Sequence, residues 1–544
     1  MDTLVIGIDG GEWAIIDSLI DSGRLPNLAL LKKEGVSGEL SSTIPPVSPL
    51  AWNSIQTGTN PGKHGIYDFS SYDNGYRKRS VNSTKRQAVP FWQILNDHEI
   101  TTGIFKVPFT YPPDEVSGYI VTGFPTPNSV DDFARPNFLT QRVGPVKSLF
   151  EDGSLKRSEG LEAFRDDLQQ VAEHQSGVFC NLIGSFDTDF GMTVYDGTDR
   201  IQHFFWKFFD ETHPRYEHDS ELGDAIGSYY ETVDKGIGRI IEKTPEDCDI
   251  IVISDHGFGP LVQDIYVDEW LAQEGFLSWR SSDNTQALEY FLVPAIENSW
   301  KLVKWMDLDQ RIKSILPGSI IDFGNSIQNQ RSREIDWERT EIFFNSLSGQ
   351  GFIINLEDRF KNGIVPREGY KEIIEDVKES LLTIRHPDTG ERLIQNVFKK
   401  EDIYNGWAMG DAPDLIAETQ TKYTLKGGHS ESLIQSSSQK GIERSGDHRQ
   451  DGVLIAKGPS FRSGQIENCH VTDIAPTILY LHGSPVPASM DGNVIAGLFS
   501  GEMPTEDEID RVNDYGEVDK GVREWSTDEE DELEDRLKNL GYLG

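Results

Sequence analysis

Short apolar runs recur along the chain, and stretches with helical periodicity separate them. Each run is bounded by Gly, Pro or Asp; the runs are residues 4–8, 191–195, 250–253, 351–354 and 452–456. Strands that are almost continuously apolar are buried on both faces, as in a sheet that helices cover on each side. The alternation of strands with helices therefore predicts an α/β fold.

Residues 265–341 depart from this pattern, because Trp, Leu, Ile and Lys recur there at helical spacing and Pro294 and Pro317 interrupt them. We interpret this segment as a mostly helical insertion that lies over the core. The α/β core is then predicted in two parts, residues 1–264 and residues 342–500.

The C-terminal segment, residues 501–544, is rich in acidic residues and is predicted to end in a short helix. Thr527 and Glu530 have the spacing of a capping box, and Gly541 is a stop signal. Three leucines at helical spacing line one face: Leu533, Leu537 and Leu540. We expect this face to dock on the core, with a partner-binding helix as the alternative.

Acidic residues outnumber basic residues by 90 to 51, which gives a formal net charge of −39 and a pI near 4.6. Such a charge disfavours nucleic-acid polymers and anionic membrane surfaces as partners. It favours solubility, and with few lysines it indicates adaptation to high salt, where the Debye length falls to about 3 Å at 1 M. An ordinary acidic cytosolic enzyme is the alternative interpretation.

The three cysteines, Cys180, Cys248 and Cys469, are an odd number without CxxC spacing. This disfavours both a disulfide framework and a thiolate zinc site. A predicted strand begins almost at the N-terminus, without the basic and apolar regions of a signal peptide, and no apolar run reaches the roughly 18 residues of a membrane span. These features predict a cytoplasmic protein without membrane insertion.

Acidic and imidazole side chains follow or precede four of the predicted strands. In chain order they are Asp9, Asp196, Asp199, His203, Asp255, His256, Asp447 and His448. Ligands of open α/β sheets bind beyond the carboxyl ends of the strands, so these side chains would form a site there. The i, i+4 spacing of Asp199 and His203 places both on one side of a helical turn. The alternative is that the aspartates cap helices and the histidines are buried core residues.

Carboxylate and imidazole ligands without thiolate suit Zn²⁺ or Mn²⁺ better than Mg²⁺ or Ca²⁺. Three aspartates and three histidines suffice for two divalent ions. A nucleophile would lie between them, and Ser48 stands at a proline-restricted turn ahead of a predicted helix. Ser48 alone is typical of an N-cap residue, but a helix N-terminus also favours a phosphate dianion.

In combination these motifs resemble the alkaline phosphatase superfamily, in particular its type I phosphodiesterase and nucleotide pyrophosphatase branch. The matching segments are Ile8-Asp9-Gly10, Ser48 ahead of Thr57-Gly58 and His64-Gly65-Ile66, Asp199-x-x-x-His203, residues 254–259, Gly446-Asp447-His448, residues 473–479 and Met490-Asp491-Gly492. Residues 107–112 and the ending 540–543 are similar to a prokaryotic subgroup of that branch. The resemblance implies a three-layer α/β/α sandwich with a largely parallel central sheet.

The resemblance also implies how the ligands divide between two ions, which the spacing of the residues leaves open. One ion would be held by Asp199, His203 and His448, and the other by Asp9, Asp255, His256 and the Ser48 oxygen. Ser48 would attack the phosphorus of a small-molecule phosphate ester and form a phosphoserine, with net retention of configuration after hydrolysis.

Two departures from the branch put nucleotide specificity in doubt. Eukaryote-like members usually have Thr as the nucleophile, where this chain has Ser48, and an Asn shortly after the His-Gly-Ile motif, where residues 67–69 read Tyr-Asp-Phe. Asn53 is a candidate oxyanion donor and Lys106 a candidate phosphate contact. Both have ordinary surface residues as the alternative interpretation.

Four other functions compete with phosphodiester hydrolysis. A phosphomonoesterase and a phosphomutase of the same superfamily would use the same metals and the same phosphoserine. A sulfatase is disfavoured because residues 48–52 lack the Cys/Ser-x-Pro-x-Arg arrangement that is oxidised to formylglycine. A non-catalytic binding module on a decayed enzyme fold is disfavoured because all seven site positions carry competent side chains.

Overall fold

A computed structural model describes residues 1–150, 160–280, 334–345, 350–439, 442–501, 509–512 and 523–540. Nine strands form the central sheet: β1 (Thr3–Ile8), β2 (Val36–Ser41), β3 (Thr102–Val107), β4 (Gly118–Thr122), β5 (Ala134–Arg135), β6 (Phe190–Tyr195), β7 (Asp249–Ile253), β8 (Asp451–Lys457) and β9 (Gly464–His470). Their order across the sheet is β9-β2-β8-β7-β1-β6-β3-β4-β5. Strands β7, β1, β6, β3 and β4 are parallel neighbours, and β8 and β5 run against their neighbours. The predicted α/β class with a largely parallel sheet is confirmed.

Helices cover both faces of this sheet. Among the described residues, the helices of eight or more residues are α1 (Trp13–Asp21), α2 (Pro26–Glu34), α3 (Ser48–Thr57), α4 (Leu161–Ile183), α5 (Gly197–Phe209), α6 (Ala225–Ile241), α7 (Val267–Glu274), α8 (Tyr370–Leu382), α9 (Ile474–Leu481) and α10 (Thr527–Leu540). Leu4, Ile6 and Ile8 of β1 join one buried cluster with α1, α2, α4, α5 and α6. Val5 joins a second cluster with α3 and α9. Because alternate residues of one strand enter different clusters, the core has three layers.

A second unit has a hydrophobic core of its own. The strands Ile342–Asn345, Gly351–Ile354, Leu415–Thr419 and Ile394–Lys399 form an antiparallel sheet in that order. Their apolar side chains pack with α7 and α8 in a separate cluster. The three strands Tyr423–Lys426, Gln263–Tyr266 and Ile434–Ser436 form a further sheet beside it.

The expected second part of the α/β core, residues 342–500, includes much of this unit. Residues 350–436 contribute no strand to the nine-stranded sheet. An apolar run such as residues 351–354 predicts a buried strand but does not say which sheet the strand joins. Most of the predicted helical insertion, residues 281–333, lies outside the described residues. The described part that precedes it contains the strand Gln263–Tyr266 and α7.

The C-terminal helix α10 docks on the nine-stranded unit. Leu533 and Leu537 are fully buried in the same cluster as α4 and α6. The capping box is formed by Ser526 and Glu529, whose side chains each accept a bond from the other residue's backbone N–H. It therefore lies one residue before the predicted pair Thr527 and Glu530. None of the described helices combines the length and apolar character needed to cross a bilayer.

Candidate active site

The polar segments of the site follow three neighbouring strands at the centre of the sheet. Asp9 follows β1, the segment from Asp196 follows β6, and Asp255 and His256 follow β7. β1 lies between β6 and β7 and is parallel to both. The carboxyl ends of the three strands therefore meet at one edge, as the sequence predicted for a ligand site.

The turn after β1 depends on Gly10. Its φ of +65° lies in the left-handed region, and a Cβ there would come 3.0 Å from a ring carbon of Phe258. Glycine adopts this conformation without the cost that a side chain would add. The turn lets the Gly10 N–H donate to Asp255 Oδ1 at 3.2 Å, which links the ends of β1 and β7.

A first group of ligand-type side chains consists of Asp199, His203 and His448. Asp199 and His203 lie one turn apart on α5, with His203 Nε2 3.3 Å from Asp199 Oδ1. His448 comes from the strand Gly446–Arg449, which pairs with Gly257–Pro260 immediately after β7. This pairing brings His448 Nε2 to 3.1 Å from Asp199 Oδ1 and 3.2 Å from His203 Nε2.

A second group consists of Asp9, Asp255 and His256, all buried. His256 Nε2 lies 3.3 Å from Asp255 Oδ2 and 3.6 Å from Asp9 Oδ1. The indole N–H of Trp52 donates to Asp9 Oδ2 at 2.8 Å and leaves Oδ1 toward the group. In each group the three ligand atoms lie within 4.8 Å of one another.

Backbone carbonyls lie beside the Nδ1 atom of two of the imidazoles. His203 Nδ1 lies 2.9 Å from Gly446 O, and His256 Nδ1 lies 3.0 Å from Gly257 O. A carbonyl oxygen only accepts, so His256 Nδ1 carries the proton and His256 Nε2 keeps a lone pair, which is the usual arrangement of a histidine ligand to a metal. At His203 the same Nδ1 also lies 2.8 Å from Arg444 Nη2, which only donates.

The electrostatics of the second group favour a bound cation. Burial and the nearby Asp255 and Asp199 raise the pKa of Asp9 well above its usual value, and burial raises the pKa of Asp255 to about 8. Burial lowers the pKa of His256 to about 4. Asp255 Oδ2 is buried and accepts no hydrogen bond. Uncompensated buried carboxylates are costly unless they are paired or coordinate a metal, so the donor set fits divalent cations.

Ser48 is the first residue of α3, and it is buried. Its Oγ lies 3.2 Å from His256 Nε2 and 3.4 Å from Asp9 Oδ1. The N-cap of α3 is Val47, so capping is not the role of the Ser48 hydroxyl. The structure thus brings all seven residues predicted for the nucleophile and the metals to one end of the sheet.

Asn53 and Lys106 are both buried, which contradicts the alternative of surface residues. The Asn53 amide donates to Pro49 O at 2.8 Å within α3, a placement that does not support an oxyanion contact. Lys106 Nζ lies 3.0 Å from both Asp196 Oδ1 and Gln175 Oε1. Lys106 therefore supports Asp196 and is not placed to contact a phosphate itself.

A residue missed by the sequence reasoning, Arg200, lines the cavity above Ser48. The lining residues are Asp9, Ser48, Phe69, Pro108, Phe109, Phe124, Asp196, Asp199 and Arg200. Arg200 is buried, and its guanidinium donates to Asp196 Oδ2 at 3.1 Å. Among these lining residues Arg200 carries the positive charge. The signal that could have identified it is its position beside Asp199 and four residues after Asp196.

We expect Zn²⁺ to raise the Tm of the chelator-treated protein by more at pH 8 than at pH 6.5. Because the pKa of Asp255 is raised to about 8, folding without metal becomes less favourable as the pH rises from about 4 to about 8. A cation replaces the proton that the folded site otherwise retains, so its stabilisation grows over that range. His256 adds little above pH 6.5, because its lowered pKa leaves it neutral in the folded protein. Thermal unfolding at both pH values checks this, and an equal or smaller shift at pH 8 would contradict it.

Carboxylates and imidazoles beyond the ends of central strands, with a serine hydroxyl beside them, form the arrangement expected of a phosphoryl-transfer enzyme. The family model for type I phosphodiesterase / nucleotide pyrophosphatase matches residues 3–451, and the chain belongs to this family. The resemblance inferred from the motifs is confirmed at this level, and phosphoester hydrolysis is the activity of the class. No curated protein matches the chain significantly in sequence.

Solved structures similar to this chain include phosphonoacetate hydrolase from Sinorhizobium meliloti 1021 in complex with phosphonoformate. It has 15% sequence identity and a TM-score of 0.51, over 89% of this chain and 95% of that chain. Human ectonucleotide pyrophosphatase/phosphodiesterase 5 has 15% identity and a TM-score of 0.48, over 92% of this chain and 100% of that chain. An inactive form of the murine protein in complex with AMP has 13% identity and a TM-score of 0.49, with the same coverage. At these identities the first likeness supports the fold alone.

Proposed function

We propose that this chain hydrolyses small-molecule phosphate esters through a phosphoserine on Ser48, at a site that holds two divalent cations. Asp199, His203 and His448 would hold one cation. The second would be held by Asp9, Asp255, His256 and the Ser48 oxygen. The observation that carries this proposal is the position of the Ser48 hydroxyl, within 3.4 Å of two members of the second group and at the N-terminus of a buried helix.

The donor set of carboxylates and imidazoles suits Zn²⁺, with Mn²⁺ as the other candidate. When bound, such cations supply positive charge that lowers the pKa of a nearby hydroxyl and stabilises charge on phosphoryl oxygens. The cytoplasmic location and the adaptation to high salt, which rest on the sequence alone, are part of this proposal.

Ser48 and its surroundings account for the two displacements. In the first, Ser48 Oγ forms a bond to phosphorus, the ester oxygen leaves, and the alcohol departs with a proton. In the second, water displaces Ser48 Oγ, which regains its proton, and phosphate or a phosphomonoester is released. The positive end of α3 stabilises the phosphorylated serine. Asp9 Oδ1 stays beside the Ser48 hydroxyl because Trp52 holds the other carboxylate oxygen.

A phosphomonoesterase is the second candidate function, and Arg200 favours it. Its guanidinium lines the cavity with Ser48 and is held by Asp196, which Lys106 supports in turn. A monoester phosphoryl group carries more charge than a diester, so an additional cation stabilises it more. We expect Arg200→Ala to lower kcat/KM about 10²-fold for p-nitrophenyl phosphate and about 10-fold or less for bis(p-nitrophenyl) phosphate, since charge-assisted hydrogen bonds contribute roughly 1.5–3 kcal/mol. An equal loss for both esters would exclude this preference.

Oxygen exchange separates hydrolysis from phosphate transfer within a substrate. In water enriched in ¹⁸O, the second displacement puts one solvent oxygen into the released phosphate or phosphomonoester. A phosphomutase returns the phosphoryl group to the substrate and incorporates none. Mass spectrometry of the product after one turnover distinguishes the two, and product without label would overturn the hydrolase proposal.

A further inference from the structure

The C-terminal helix α10 belongs to the same hydrophobic core as the aromatic side chains that line the cavity above Ser48. Leu533 and Leu537 belong to the same buried cluster as Phe69, Phe109 and Phe124, the three phenylalanines that line the cavity. The Phe69 ring centroid lies 5.4 Å from that of Phe109 and 5.8 Å from that of Phe124. The aromatic wall and the leucine face of α10 therefore belong to one hydrophobic cluster.

Arg536 of α10 contacts this wall directly. Its Nη1 donates to Thr126 O at 2.5 Å, which holds the side chain against the loop after β4. Its guanidinium carbon lies 5.3 Å from the Phe124 ring centroid and 5.5 Å from the Phe150 ring centroid. Both distances lie within the range of an attractive cation–π contact.

Phe124 and Phe150 also contact Arg200 and Lys106 on the side of the active site. The Arg200 guanidinium also lies 5.3 Å from the Phe124 centroid. Lys106 Nζ lies 4.6 Å from the Phe150 centroid and bonds Asp196, which accepts from Arg200. Two chains of contact therefore connect Arg536 to Arg200, one through Phe124 and one through Phe150.

We propose that Arg536 is a positioning residue for the active site, which acts through Phe124 and Phe150 to fix the Arg200 guanidinium beside Ser48. This inference rests on the proposed function, in which Arg200 binds the phosphoryl group. The C-terminal helix then belongs to the substrate site as well as to the core. Its effect on catalysis requires Arg200, whereas a purely stabilising role of α10 does not.

Arg77 offers a matched control, because it contacts the same helix from another part of the chain. Its guanidinium donates to Glu530 of α10 at 2.8 Å and is 56% exposed. Arg77→Ala also removes an arginine contact to α10, at Glu530 in the N-terminal half of the helix. Neither Arg77 nor Glu530 is among the residues that line the cavity. Exposed ion pairs of this kind contribute little to stability.

The test is a double-mutant cycle on the full-length, Zn²⁺-loaded protein with p-nitrophenyl phosphate. We expect Arg536→Ala to lower kcat/KM about tenfold in the presence of Arg200, mainly through KM, and less than about twofold in the Arg200→Ala background. Arg536→Lys, which retains the positive charge, should recover part of the loss. Arg77→Ala should change kcat/KM less than about twofold in either background.

Equal losses from Arg536→Ala in the two backgrounds, or no loss in either, would overturn the positioning role. If Arg536→Ala lowers the Tm by more than about 5 °C, the comparison rests on Arg536→Lys, whose partial loss must also disappear with Arg200→Ala. Failure of the proposed function is recognised separately, by wild-type turnover that Ser48→Ala leaves unchanged.

Discussion

Ser48→Ala is expected to lower kcat by at least about 10⁴-fold on any true substrate, because deleting a nucleophile removes the covalent route altogether. The side chain is small, and its hydroxyl lies beside Asp9 and His256 within the site, so the fold should persist. We expect the Tm to change by less than about 3 °C, since the substitution leaves no large cavity. Steady-state kinetics and thermal unfolding of the two proteins check both statements.

Two further variants separate loss of the nucleophile from loss of helix α3. Ser54→Ala removes a buried hydroxyl from the same helix, where it bonds His64 Nε2 at 3.2 Å, and should retain activity within about threefold. Ser48→Thr keeps a hydroxyl and should retain measurable turnover. After a rapid quench with substrate, mass spectrometry of wild-type protein should find a phosphoryl group on the peptide that contains Ser48. Activity retained in Ser48→Ala would contradict the phosphoserine mechanism.

His203→Ala and Asp255→Asn are each expected to remove one of two bound cations and to lower kcat/KM by about 10³-fold. The reason is that a catalytic cation stabilises the charge of the transition state by several kcal/mol. His203 belongs to the first group and Asp255 to the second, so each variant disrupts a different site. Metal analysis of the purified proteins should give about two equivalents for wild type and about one for each variant.

The matched control for ligand loss is His98→Ala. His98 is exposed at the end of the helix Phe91–Asp97 and lies outside both groups. We expect it to leave the metal content and kcat/KM unchanged. Fewer than two equivalents in folded wild-type protein would support the non-catalytic alternative, and unchanged metal content in both ligand variants would show that the two groups do not hold the ions.

The polarity pattern was sufficient to predict the fold class and most of the site. Residues 4–8, 191–195 and 250–253 are almost continuously apolar, and a strand buried on both faces requires that pattern. Asp9, Asp255 and His256 were predicted to meet because they directly follow such strands. That inference needs only the rule that ligands bind where parallel strands end.

Other features depended on contacts between residues far apart in the chain. Residues 351–354 carry the apolar pattern of a central strand, yet they pair with 342–345 and 415–419 in another sheet. The residue type of Arg200 alone did not identify it as a site residue, because its position depends on Asp196 for orientation and on Phe124 for packing. Lys106, a candidate phosphate contact from the sequence, is buried against Asp196, and this contact cannot be inferred from its neighbours in sequence.

The sequence by itself determined which side chains are chemically able to act. The residue types of the carboxylates, the imidazoles and the serine, and their places relative to the predicted strands, can be read directly from it. Only the tertiary structure decided which of them lie together in each of the two groups. His448 joins Asp199 because the strand Gly446–Arg449 pairs with Gly257–Pro260, and a pairing across nearly 200 residues leaves no local pattern. The docking of α10 beside Phe124 was decided in the same way, by packing against distant surfaces.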